Sequence, residues 1–217
     1  MSKPTKSDPL QHLMRRRQAD AEMGQEPASD YDTLLSDYQE LQRMVEEQAR
    51  LITTLQRESG ADPLTGLANH RTLGMELERS LATARRYGRR HALIMLNVAD
   101  FSTLSAQLGE DATTALLRHL SSLIRQNIRP TDIAAHPGFG EFAIILNELR
   151  AAENATMRAD EICAIASQTP CMIGGRSLHV MVDSGICVFT QDDEAADVLS
   201  RARQSLATAT PSGTILS

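Results

Sequence analysis

Between Tyr31 and Leu55 apolar residues recur at alternating spacings of three and four. Tyr31, Leu34, Tyr38, Leu41, Val45, Gln48, Ile52 and Leu55 take successive a and d positions of a heptad, with charged or amide residues between them. The pattern predicts a coiled-coil helix over 31–60, with Gln48 as the polar seam residue that sets register. Two arrangements satisfy such a stripe: a second copy paired through 31–58, or the helix folded back on its own domain. Gly60, Asp62 and Pro63 end it. Upstream, residues 1–30 mix Pro, Ser, Lys, Asp and Gln without period and predict a disordered tail. Within it, Arg15-Arg16-Arg17 reads either as a solvated basic run or as a contact for phosphates or an acidic partner.

Downstream the period switches repeatedly, which predicts a single domain over 61–217. Residues near 68–88 read as a helix, His91 to Val98 as a buried strand and Phe101 to Asn127 as one long amphipathic helix. Ile133 to His136 and Glu141 to Leu146 flank the turn Pro137-Gly138-Phe139-Gly140 as a β-hairpin. A helix over 150–168, a strand over 178–190 and a helix over 194–209 follow. The order βαββαβ predicts an α+β sandwich with a ferredoxin-like core and a mainly antiparallel sheet, preceded by the long helix.

Composition narrows the function. Aromatic residues make up 3% of the chain and Trp is absent, which excludes a base-stacking nucleic-acid platform. The formal net charge of −6 gives no global attraction to nucleic acid or to anionic membrane, so any anion site must be local. The N-terminal residues lack an apolar signal segment, and the longest apolar run, near Ala92 to Ala99, is too short to span a bilayer. Cys163, Cys171 and Cys187 show no ligand or disulfide spacing and predict reduced packing residues in a cytoplasmic protein.

Three motifs occur in order: Asp62-Pro63-Leu64-Thr65-Gly66-Leu67-Ala68-Asn69, the strand end Asn97-Val98-Ala99-Asp100-Phe101, and the hairpin Gly138-Phe139-Gly140-Glu141-Phe142, followed by Gly185 and Gly213. The first resembles the DxLTGLxN opening of GGDEF domains and the hairpin resembles their signature. The resemblance spans roughly 62–217 and implies the fold of the diguanylate cyclases, which hold Mg²⁺ on carboxylates against the phosphates of GTP.

The departures from that pattern imply that the chemistry is lost. The two metal-motif aspartates fall on Asn97 and Ala99, and the third signature residue is Gly140. Glu141 is retained as the fourth signature residue, so Asn97, Gly140 and Glu141 are vestigial positions, and no catalytic residue and no cofactor, Mg²⁺ included, is expected. Asp100 is expected on the opposite strand face, where it cannot substitute. The guanine-reading Asn and Asp fall on Ser105 and Thr114, and the phosphate-binding Lys and Arg on Thr210 and Thr214. Phe139 replaces the second signature glycine, where the backbone must approach the nucleotide.

One element persists. Arg129-Pro130-Thr131-Asp132, with Asp132 six positions before Gly138, stands where many family members carry the RxxD motif of an inhibitory cyclic di-GMP site. A guanidinium fork suits a phosphate or the guanine Hoogsteen edge, and a carboxylate suits the guanine N1–H and amine. The alternative is a turn-capping surface pair. The helix near 156–163 offers Arg158 as a second cation, with Asp160 and Glu161 beside it. The expected function is thus an inactive signalling module that binds cyclic di-GMP at Arg129 and Asp132, pairs as a homodimer and signals to a protein partner. A nucleotide-free scaffold and a residual cyclase are the alternatives.

Overall fold

The computed structural model describes residues 30–58 and 60–209. The tail with its Arg15-Arg16-Arg17 cluster, and Thr210, Gly213 and Thr214, lie outside the described residues. The chain divides into two compact units with the boundary between Thr53 and Thr54, inside the first helix.

That helix, α1 (Asp30–Glu58), matches the heptad segment. Along it Leu34, Tyr38, Leu41 and Val45, all seam residues, are more than half exposed, as is the flanking Leu51.

In the second unit a four-stranded sheet is built from β1 (Arg90–Val98), β2 (Ile133–Gly138), β3 (Glu141–Leu149) and β6 (Val182–Phe189) in the order β2-β3-β1-β6. Each neighbouring pair is antiparallel, as expected from the sequence. Around it lie α2 (His70–Tyr87), α3 (Phe101–Leu108), α4 (Glu110–Gln126), α5 (Glu153–Gln168) and α6 (Ala195–Thr208). A small hairpin of β4 (Cys171–Ile173) and β5 (Arg176–Leu178), absent from the sequence reading, turns on Gly174 and Gly175, both at positive φ.

The central strand β1 is buried on both faces, so its near-continuous apolar run feeds two cores. Ala92, Ile94, Leu96 and Val98 pack with Phe142 and Ile144 against α4 and α5, while Leu93 and Met95 pack with Ala143, Ile145 and Phe189 against α2 and α6. Residues two apart share a face, which makes this division a direct reading of the strand period. The single helix expected over Phe101 to Asn127 is instead two, α3 and α4, separated at Gly109 with φ 78. An amphipathic period continues on both sides of that glycine and conceals the break.

His91 gives the fold a pH dependence. It is 1% exposed and stacks on Phe189 at 5.6 Å between ring centres. Burial pushes its pKa below the ordinary 6.5, against the hydrogen bond to Asn147 and the Glu148 charge, which favour protonation; nearby Arg89 opposes it. The folded chain therefore binds fewer protons here than the unfolded one, and stability rises with pH. The contribution is present above 6.5 and lost as pH falls from there. Thermal midpoints measured between pH 8 and 5 should decline below pH 6.5 in the wild type and more shallowly in His91→Gln.

Candidate functional site

The opening motif turns out to be a structural clasp. Asp62 Oδ1 accepts from the Thr65 amide at 2.9 Å and from the Thr65 hydroxyl at 2.6 Å, closing a turn that Gly66 continues at φ 68. Leu67 enters the core, and Asn69 caps α2 by accepting from the Thr72 amide at 2.9 Å. The same aspartate reaches the signature hairpin. His136, buried on β2, places Nδ1 3.0 Å from Asp62 Oδ1 and Nε2 2.9 Å from the Phe139 carbonyl, and its ring lies 5.0 Å from that of Phe142. Burial works to raise the Asp62 pKa, but the bonds from Thr65 and the contact with His136 outweigh it and hold the carboxyl below its usual 3.8.

At the hairpin, Asn97 lies in register with Glu141 on one side and Asp183 on the other. Glu141 is 3.6 Å from Arg203 of α6, an exposed ion pair. Gly140 is buried, and a Cβ built on it would stand 2.5 Å from Phe101 Cγ and 2.8 Å from Phe101 Cβ. A carboxylate side chain at position 140 therefore has no room while Phe101 keeps its place. Gly140→Glu should cost about 1–3 kcal/mol through overpacking, read as a lowered denaturation midpoint. Asn97, Gly140 and Glu141 together thus offer one carboxylate and one neutral amide, which do not fit a two-metal centre. Among the described residues no group of three or more His, Cys, Asp or Glu side chains is placed to hold a cation.

One detail differs from expectation. Asp100 does not lie on the strand at all: β1 ends at Val98, and Asp100 opens α3 in the left-handed region at φ 51, exposed. The ring of Phe139 stands out from the hairpin tip, 88% exposed, on a backbone at φ 52. Ser105 lies on α3 and Thr114 on α4, on either side of the Gly109 break, and the Ser105 hydroxyl donates to the Ser102 carbonyl at 3.0 Å.

The cationic site lies at the other end of the sheet. A cleft of about 420 Å³ opens between the turn before β2, the end of β3 and the start of α5, and Arg129, Asp132, Asn147, Arg150, Asn154 and Arg158 line it. Arg129 and Arg150 are exposed, and Arg158 pairs with Glu161 at 2.8 Å. Asp132 is 8% exposed. Its Oδ2 accepts from the Arg129 amide at 3.2 Å and its Oδ1 from the Asn147 amide at 3.1 Å, while its own amide donates to the Arg129 carbonyl at 3.0 Å. The carboxylate therefore closes the turn that presents Arg129 to the cleft. Arg150, Asn154 and Asn147 were not singled out from sequence; they come from separate elements, and no local motif marks them.

Residues 59–214 match the family described as diguanylate cyclase, GGDEF domain. The chain belongs to the GGDEF family. Among curated relatives, the probable diguanylate cyclase DgcE of Escherichia coli K12 is 30% identical over 159 residues, 73% of this chain and 14% of that protein. This chain thus spans a small part of that relative's length. Solved structures with the GGDEF fold align with this chain. The diguanylate cyclase SiaD of Pseudomonas aeruginosa, in complex with its activator SiaC, aligns with a TM-score of 0.67 at 23% identity, covering 94% of this chain and 83% of SiaD. The GGDEF domain of DgcB from Caulobacter crescentus, in complex with c-di-GMP, aligns with a TM-score of 0.64 at 26% identity, covering 69% of this chain and 86% of the other.

Proposed function

We propose that this protein is a non-catalytic GGDEF signalling module that binds cyclic di-GMP in the arginine cleft and pairs as a dimer through residues 31–58. The observation that carries the reading is the convergence of Arg129 from the turn before β2, Arg150 from just past β3 and Arg158 from α5 on one cleft at the RxxD position. Arg129 supplies a guanidinium fork for a phosphate or the guanine Hoogsteen edge, and Asn154 supplies an amide that both donates and accepts. DgcB is a GGDEF relative whose domain is in complex with c-di-GMP.

Turnover is lost at the other end of the sheet. With Asn97 and Ala99 in place of carboxylates and no room for one at position 140, the charge developing on transferring phosphate has no cations held against it. Each ~1.4 kcal/mol of lost transition-state stabilisation lowers the rate about tenfold. Ser105 and Thr114 are too short to pair with a guanine edge as a carboxylate does. No bound cofactor is required for the proposed role, which would be carried out in the cytoplasm.

The exposed stripe on α1 supports pairing, since a heptad seam left in water is better buried against a second copy. Phe139, 88% exposed on a left-handed backbone, is the feature a second reading, a nucleotide-free scaffold, would offer a protein partner. Incubation with GTP and Mg²⁺ tests the inactivity, and no cyclic di-GMP should form. Product that disappears in Glu141→Ala would restore the cyclase reading.

A further inference from the structure

Outside the signature hairpin and the arginines themselves, the most heavily bonded side chain near the cleft is Asn147. Its amide donates to Asp132 Oδ1 at 3.1 Å and its Nδ2 to the Thr131 carbonyl at 2.6 Å, so it grips the ligand turn at two points. Its Oδ1 accepts from the Ser80 hydroxyl of α2 at 2.9 Å and faces His91 Nδ1 of β1 at 3.0 Å. An amide oxygen only accepts, so His91 carries its proton on Nδ1, and the buried Nε2 is left without a partner. The amide orientation is thereby fixed from both ends.

The backbone beneath is irregular in a way that aims this side chain. Between the pairs Arg90↔Leu149 and Ala92↔Leu146, the single residue His91 is opposed by two, Asn147 and Glu148. Glu148 sits at φ 55, uncommon for a residue other than glycine. A bulge of this kind re-aims a side chain away from the regular alternation. On the side away from the cleft, a groove of about 430 Å³ lined by Ser80, His91, Thr131 and Asn147 meets the same residue.

We infer that Asn147 is a positioning residue that regulates the arginine cleft, carrying the placement of α2 and β1 to the Arg129–Asp132 turn. This rests on the cyclic di-GMP reading of that cleft. Ser80 does not line the cleft and donates to Asn147 Oδ1, so changing it probes the relay at a residue that cannot touch the ligand. The relay differs from simple stability, because its loss loosens one turn and leaves α4, which packs on the opposite face of the sheet, untouched.

Hydrogen exchange and calorimetry on the full chain separate the cases. Ser80→Ala and Asn147→Ala should speed exchange of the Arg129 amide, by about threefold and about tenfold, while amides of α4 keep their wild-type rates. Cyclic di-GMP affinity should weaken in parallel, by similar factors. Arg129 exchange at the wild-type rate in both variants overturns the inference, as does faster exchange with unchanged ligand affinity. Faster exchange in a protein whose wild type binds no cyclic di-GMP would retain Asn147 as the organiser of the turn and sink the receptor reading instead.

Discussion

Arg129→Ala is expected to weaken cyclic di-GMP binding by about a hundredfold while leaving the fold intact. The side chain is exposed, and the turn it sits on is closed by backbone groups and the Asp132 carboxylate, none of which the substitution removes. What it does remove is a charge-assisted contact to a phosphate or guanine edge, worth about 1.5–3 kcal/mol. Arg158→Ala should cost less, because Arg158 already shares its charge with Glu161. Calorimetric titration of both variants against wild type reads the order directly. A hundredfold loss at Arg158 with none at Arg129 would put the ligand elsewhere in the cleft.

Gly185→Ala is expected to carry the largest stability effect. Gly185 lies buried on β6 under α6, and an added Cβ would stand 2.2 Å from the Leu206 amide nitrogen and 2.4 Å from the Ala202 carbonyl oxygen. Both obstacles are backbone, so relief requires α6 to lift from the sheet, which opens the contacts of Val198 and Ala202 with the core. A cost of about 3 kcal/mol follows, or a thermal midpoint lowered by roughly 6–12 °C. An unchanged midpoint would show that α6 is free to shift along the sheet.

These two positions illustrate what the sequence discloses. The order βαββαβ was legible because β1 is a continuous apolar run and the flanking helices keep their periods, and Gly185 stood out as a family position. The reason for that glycine was not legible, since the helix that crosses it lies about twenty residues further along the chain. The β4–β5 hairpin escaped notice because each strand has three residues, too few to show alternation, although Gly174-Gly175 between Ile173 and Arg176 was the available turn signal. The break at Gly109 was hidden by apolar residues that keep helical spacing across it.

At the candidate site the same division holds. Arg129 and Asp132 are adjacent enough to form a recognisable motif, and Arg158 was in view as a second cation. Asn147, Arg150 and Asn154 enter the cleft because β3 bulges opposite His91 and α5 begins beside it, which are tertiary facts. The opening motif showed the reverse: recognised as a family signature, it proves to be the turn and cap that anchor His136, and through it the hairpin. Phe139, read as a bulky residue where the backbone approaches a nucleotide, stands in solvent at the hairpin tip, and the contact of His136 with its carbonyl holds the backbone there.

Titration calorimetry of the wild-type chain with cyclic di-GMP, in buffer containing Mg²⁺, followed by incubation of the same sample with GTP, tests the central claim most directly. Saturable heat with cyclic di-GMP and no new cyclic di-GMP formed from GTP is the predicted result. No heat, or formation of product from GTP, would contradict it.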